Sequence, residues 1–149
     1  MSDQVPERMD PSLAGHPRLR SVAEVAELAG VVAPLYVRFS GGPASDAAVA
    51  SRDHESGCVL PGLSVNPLTP EPWWDRPAEH WVARQLCQYA YLMTPERFPW
   101  LLTGTVVGRG PDCEPLLVDT TPVASIDPSV VAEAGRLYRE VFDAGRTST

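Results

Sequence analysis

The sequence predicts an α+β fold: one domain with a small, mainly antiparallel sheet, about three helices and a long irregular segment rich in proline and glycine. Three observations carry this expectation. Apolar residues recur at helical spacing in three separate stretches, and runs rich in β-branched, aromatic and leucine side chains lie between turn signals. The order is helix, strand, irregular segment, helix, two strands, helix, which lacks the regular strand-helix alternation of a parallel sheet. A chain of 149 residues with 44% hydrophobic side chains supplies one core.

Residues 1–20 are polar, broken by Pro6, Pro11, Gly15 and Pro17, and read as a flexible tail before a domain over 21–143. Ser21-Val22-Ala23-Glu24 is a capping box, and Val22, Val25, Ala26 and Ala29 then share a face. Gly30 suits a left-handed cap, which places the first helix over 21–29. Leu35–Ser40 is a strand between Pro34 and Gly41-Gly42-Pro43. Residues 41–76 are irregular, with a short strand expected at Leu63–Asn66. Asp75 is positioned to cap a second helix, with Pro77 in its first turn and Val82, Leu86, Tyr89 and Met93 as its apolar stripe, over 76–93. Trp100–Val107 and Leu116–Ala124 read as strands, joined by a loop at Gly108–Pro115 that closes an antiparallel pair. Asp127-Pro128 opens a third helix over 128–143, and residues 144–149 form a second tail.

Composition excludes several chemistries. All 12 basic residues are arginine, so no Walker A lysine, Schiff base or pyridoxal phosphate site exists on this chain. A net charge of -7 opposes binding to nucleic acid. No apolar run is long enough for a membrane span and the N-terminus does not read as a signal peptide. Cys58, Cys87 and Cys113 have no paired spacing, which suits reduced thiols in a cytoplasm. His54 with Cys58, and His80 with Cys87, lack zinc-ligand spacing, so no metal is expected.

Arg38 interrupts an otherwise apolar strand. Alternation puts it with Tyr36 and Ser40, opposite Leu35, Val37 and Phe39, where its guanidinium can hold a phosphate or carboxylate, face solvent, or pair with an acidic side chain. Arg52-Asp53-His54-Glu55 is the densest ionisable run, and His54 is its proton carrier, although extended backbone would set His54 and its carboxylate neighbours on opposite faces. In the loop Gly108–Pro115, glycines and prolines set the path around Arg109, Asp112, Cys113 and Glu114; Glu114 stands just before a rigid strand, while Arg109 and Asp112 can simply pair to fasten the loop. Trp73, Trp74, Trp81 and Trp100 read chiefly as packing residues.

Leu35–Ser40, Ser51-Arg52-Asp53, Leu60-Pro61-Gly62-Leu63-Ser64-Val65-Asn66-Pro67-Leu68, Glu71-Pro72-Trp73-Trp74 and Gly108–Leu116 together resemble an actinobacterial domain family of unknown function, over about residues 22–142. That resemblance implies no activity. Arg38, Ser64 and Glu114 also stand in the chain order used by ADP-ribosyltransferase-like folds, although Leu63-Ser64-Val65 and Asp112-Cys113-Glu114 match that superfamily's patterns only in part. The resemblance implies an NAD site in which Arg38 holds the pyrophosphate, Ser64 positions the nicotinamide ribose and Glu114 stabilises an oxocarbenium-like transition state. Two other readings stand beside it. One is a cofactor-free acid-base enzyme using His54, Glu55, Asp112 and Glu114; the other is a noncatalytic module binding a protein or ligand through the proline-rich segment and the tryptophans. A small-molecule ligand is the expected partner, and a homodimer is the default assembly on symmetry grounds.

Overall fold

The computed structural model describes residues 13–48 and 60–143. The chain runs β1 (Arg18–Leu19), α1 (Val22–Val31), β2 (Tyr36–Ser40), α2 (Pro43–Ala48), β3 (Leu63–Ser64), β4 (Asn66–Pro67), α3 (Ala78–Gln88), β5 (Phe98–Arg109), β6 (Pro115–Ile126) and α4 (Pro128–Tyr138). A 3-10 turn at Ala90–Leu92 follows α3, and a π turn at Arg139–Asp143 follows α4. The fold is α+β, and none of its helices is long and apolar enough to cross a membrane.

The long β5-β6 hairpin is the frame. β2 pairs antiparallel with the first half of β5, through Ser40 opposite Phe98 and Tyr36 opposite Leu102. β1 lies parallel to the end of β6, the one parallel pairing among the described residues. The segment Leu63–Pro67 then bridges the open side: β3 pairs with the start of β6, and β4 pairs with the outer edge of β2. One piece of chain thus binds two strands that are not neighbours, and the sheet curls into a half-barrel.

Both faces of the sheet are buried around β2, the first half of β5 and the end of β6, and alternation sorts the side chains there between them. Leu35, Val37, Phe39, Leu101, Ala124 and Ile126 face a helical layer built from the apolar stripes of α1, α3 and α4. Tyr36, Trp100, Leu102 and Leu117 point the other way, into the half-barrel, where Val65 and Leu13 complete a second core. The helices form for the reasons the sequence suggests. Ser21 Oγ accepts from the Glu24 amide at 3.1 Å, and the Glu24 carboxylate accepts from the Arg20 amide at 2.6 Å, so the box closes one residue earlier than Ser21 itself. Asp127 caps α4 through the Ser129 amide at 3.0 Å, with Pro128 in the first turn.

Several expectations need correction. Residues 13–20 belong to the domain, because Leu13 is buried inside the half-barrel and Arg18–Leu19 join the sheet. Gly30 lies inside α1, whose C-cap is Val32, and the only described glycine with positive φ is Gly42, in the turn into α2. Asp75 does not cap α3; Pro77 does, without a side-chain hydrogen bond, and the helix stops at Gln88 before the 3-10 turn. The expected strand at Leu63–Asn66 divides at Val65, whose side chain enters the barrel core while its amide bonds to Pro115 O at 3.2 Å. The irregular segment also holds α2, a fourth helix. α4 ends at Tyr138 and passes into the π turn.

Two glycines test these placements. A Cβ on Gly62 would stand 2.7 Å from Leu117 O, where β3 is pressed against β6, so Gly62→Ala is expected to lower stability by about 1–3 kcal/mol in denaturant unfolding. A Cβ on Gly30 would meet nothing within 4 Å, so Gly30→Ala is expected to add up to about 1 kcal/mol through helix propensity; a loss would restore the left-handed cap. The Ser129 amide, then Arg18, hold the Asp127 carboxyl below its ordinary value of 3.8. Its folded-state pKa is depressed, so its contribution is present above that value and lost as the pH falls below it. Asp127→Ala is expected to cost about 1 kcal/mol at neutral pH and to flatten that part of the acid-unfolding profile.

Candidate functional site

Arg38 is the centre of the polar structure inside the half-barrel. β2 carries it on the face of Tyr36 and Ser40, and that face is covered, so the guanidinium is enclosed instead of emerging into solvent. Asp46 of α2 meets it side-on, accepting from Nε at 2.7 Å and from Nη2 at 3.3 Å. Nη1 donates to the Ser64 carbonyl at 2.7 Å. The pair is largely buried, with side-chain exposures of 17% for Arg38 and 7% for Asp46, so each charge needs the other.

The network extends in two directions. Ser64 Oγ donates to Glu114 Oε2 at 2.7 Å, and Glu114 Oε1 accepts from the Asp112 amide at 2.9 Å. This fastens the tip of the β5-β6 hairpin to β3. The tip is a tight turn in which the Cys113 amide bonds to Gly110 O, and Cys113 itself takes φ 63°. On the other side, Ser40 Oγ donates to Asp46 Oδ2 at 2.6 Å and accepts from the indole Nε1 of buried Trp100 at 2.9 Å. The turn glycine Gly42 also donates its amide to Ser40 Oγ.

At the mouth of the half-barrel lies a pocket of about 350 Å³, lined among others by Asp46, Leu63, Trp100, Leu117, Asp119 and Thr120. Trp100 and Asp46 are held from behind by the same serine, which fixes their positions in the pocket wall. Asp119 reaches the pocket through an irregular stretch of β6. Its φ is 54°, in the left-handed region, and the pairing of β5 with β6 shifts register between Thr103 and Thr105 beside it. No described residue forms an ion pair or side-chain hydrogen bond with the Asp119 carboxylate.

Of the residues named from sequence, Arg38, Ser64, Glu114 and Asp112 therefore join one hydrogen-bonded chain, with Asp112 contributing its amide and not its carboxylate. Arg109 is exposed and reaches back to Cys113 O at 3.4 Å, so it does not pair with Asp112. None of the five lines the pocket. His54 lies outside the described residues. The tryptophans divide: Trp81 is core and donates to Pro67 O, while Trp73, 66% exposed, stacks edge-on against Trp74 and Trp81. Sequence reasoning missed Asp46, Trp100 and Asp119 as lining residues. Asp119 and Pro122 within an apolar strand were the available signal, since a mid-strand proline marks a bulge or an edge.

Burial raises the pKa of Tyr36 and of Tyr89; for Tyr89 the carboxylates of Asp112 and Glu114 add to the effect, against a hydrogen bond from Asn66. Both phenols are thus favoured in their neutral form. Their contribution to stability is complete below the ordinary value of 10.0 and is lost as the pH rises through the folded-state values.

The architecture is a half-barrel backed by three helices, with the buried Arg38–Asp46 ion pair at its centre and a pocket at its mouth. The chain belongs to a family of unknown function (DUF6098), whose model matches residues 12–148. No curated protein and no solved structure matches it.

Removing one member of the central pair leaves the other buried and unpaired. Asp46→Ala and Arg38→Ala are each expected to cost about 3–5 kcal/mol, and the double-mutant cycle to show strong coupling, whereas Glu114→Gln should cost about 1 kcal/mol. Urea unfolding of the unaltered protein, the three members of the cycle and Glu114→Gln measures this; additive effects for Arg38 and Asp46 would contradict the pairing.

Proposed function

We propose that this domain binds a small molecule in the pocket at the half-barrel mouth. The observation that carries the reading is the support behind the pocket: Ser40 ties Trp100 and Asp46 together from within the barrel, at 2.9 and 2.6 Å. These buried polar bonds fix the side chains that form the floor of the pocket, so its shape is set before a ligand arrives. The volume of about 350 Å³ falls at the small end of ligand sites, which suits a metabolite-sized compound. The thiols of Cys87 and Cys113 are free, in keeping with a reducing, cytoplasmic setting for such a protein.

A nucleotide reading rests on a different observation, the hydrogen-bonded link from Arg38 through Ser64 to Glu114. An NAD pyrophosphate at Arg38 would have to displace Asp46, which already occupies two guanidinium nitrogens. The reading is therefore second to the pocket.

A thermal-shift titration with a metabolite panel that includes NAD and ADP-ribose separates the two. A pocket ligand at ten times its Kd is expected to stabilise the protein by about 1.4 kcal/mol, roughly 3–6 °C in Tm, and the shift should vanish in Thr120→Trp, which fills the pocket. A shift with NAD that survives Thr120→Trp and disappears in Glu114→Gln would replace the pocket reading with the nucleotide one. No shift with any compound at millimolar concentration would overturn both.

A further inference from the structure

We propose that the tip of the β5-β6 hairpin regulates the mouth pocket, through a clasp between Glu114 and Ser64 that sets the position of one pocket wall. This rests on the pocket reading above and adds a control element to the same site. The floor of the pocket is fixed by Ser40, but the wall made by Leu60, Pro61, Gly62 and Leu63 belongs to the bridging segment. That segment reaches β6 through β3, which is only two residues long. Of these two, Leu63 lines the pocket, and Ser64 Oγ donates to Glu114 Oε2 at 2.7 Å. Consecutive Cα atoms are about 3.8 Å apart across a rigid trans peptide, so Ser64 cannot be displaced without carrying Leu63.

The tip is assembled around the Glu114 carboxylate. It accepts from the Asp112 amide at 2.9 Å as well as from Ser64, and it fills the space that a side chain on Gly110 would take. Pro111, Asp112 and Cys113 of the same turn are exposed, so a contact made at the surface acts directly on the group that holds Ser64. Beyond Ser64 the bridging segment is anchored. Arg38 Nη1 holds the Ser64 carbonyl at 2.7 Å, the Val65 amide bonds to Pro115 O at 3.2 Å, and the Val65 side chain is buried in the barrel core. Movement at Ser64 is therefore taken up on the Leu63 side, toward the pocket. β6 is a second route from the tip, since it lines the pocket from Leu117 to Thr120, but at Leu116 and Leu117 it is paired on both edges, by β3 and by β5. The clasp is the looser link and so the one through which tip and wall respond to each other.

Hydrogen exchange of single amides, followed by NMR under native conditions, reads this coupling in both directions without a ligand. Thr120→Trp, which presses on the wall from within the pocket, is expected to speed exchange of the Asp112 amide at least about threefold, and the effect should disappear when Ser64→Ala is also present. In the reverse direction, Glu114→Ala is expected to speed exchange of the Val65 amide by about the same factor. Asp127→Ala, which removes a helix cap outside the network, should leave the Asp112 amide within about twofold, whereas general loosening of the fold would move it. Urea unfolding of each variant reports its folding. An Asp112 amide unmoved by Thr120→Trp, a response that persists with Ser64→Ala, or an equal response to Asp127→Ala would overturn the clasp and leave the pocket as a ligand site. A panel compound whose binding is lost in Thr120→Trp is expected to bind at least about threefold more weakly to Ser64→Ala, and unchanged affinity would overturn the regulation. Coupled exchange with no pocket-dependent ligand in the panel would remove the pocket reading itself, and the regulation with it.

Discussion

Arg38 and Asp46 hold the middle of this molecule together, and much of the rest of the structure can be read as what surrounding that pair requires. A buried guanidinium must have its donors met, and here they are met by three chain segments far apart in sequence: α2 through Asp46, the bridging strand through Ser64 O, and, one bond further, the hairpin tip through Glu114. Each segment is short or irregular and buries little apolar area of its own. α2 has six residues, below the length at which a helix is stable alone, so its place against β2 depends on Asp46. A hydrophobic pair of similar volume could provide equal stability. What it could not provide is direction: the fork of the guanidinium specifies where the bridging strand crosses and how the sheet closes.

The same pair separates two kinds of surface. Toward the barrel interior the polar atoms are consumed by one another, and toward the mouth Asp46 and Trp100 form part of the pocket floor. A single serine links them. Ser40 is 8% exposed, yet it donates to Asp46 and accepts from both Trp100 and Gly42, which uses its hydrogen-bonding capacity almost completely. Part of the pocket wall is thus fixed by the fold's own polar satisfaction.

How much of this was legible in the sequence follows from which forces are local. α1 and α4 were readable because their caps and apolar stripes lie within a few residues of each other, and Val22, Val25, Ala26 and Ala29 are buried as their spacing requires. The β5-β6 hairpin was readable for the same reason. The misplacements came from long-range effects. Alternation in β2 correctly separated Arg38 from Val37, but it could not say that both faces would be covered, because the second cover is Leu13 and Val65, brought from other parts of the chain. Gly30 looked like a cap because glycine often is one, whereas the helix continues past it to Val31. The order Arg38, Ser64, Glu114 did correspond to proximity, but the partner that gives it meaning, Asp46, sat in a stretch with no helical period long enough to notice.

The parallel pairing of β1 with β6 has a consequence for the newly made chain. Arg18 aligns with Ser125, and the Val22 amide at the start of α1 bonds to Glu133 on the last helix. The first described strand and helix are therefore seated by the last described strand and α-helix. Until α4 leaves the ribosome, the Val22 amide has no carboxylate to bond, and until β6 does, Leu13 has no completed barrel to enter. Native packing of this N-terminal strand therefore follows synthesis of the strand and helix that seat it, more than a hundred residues later.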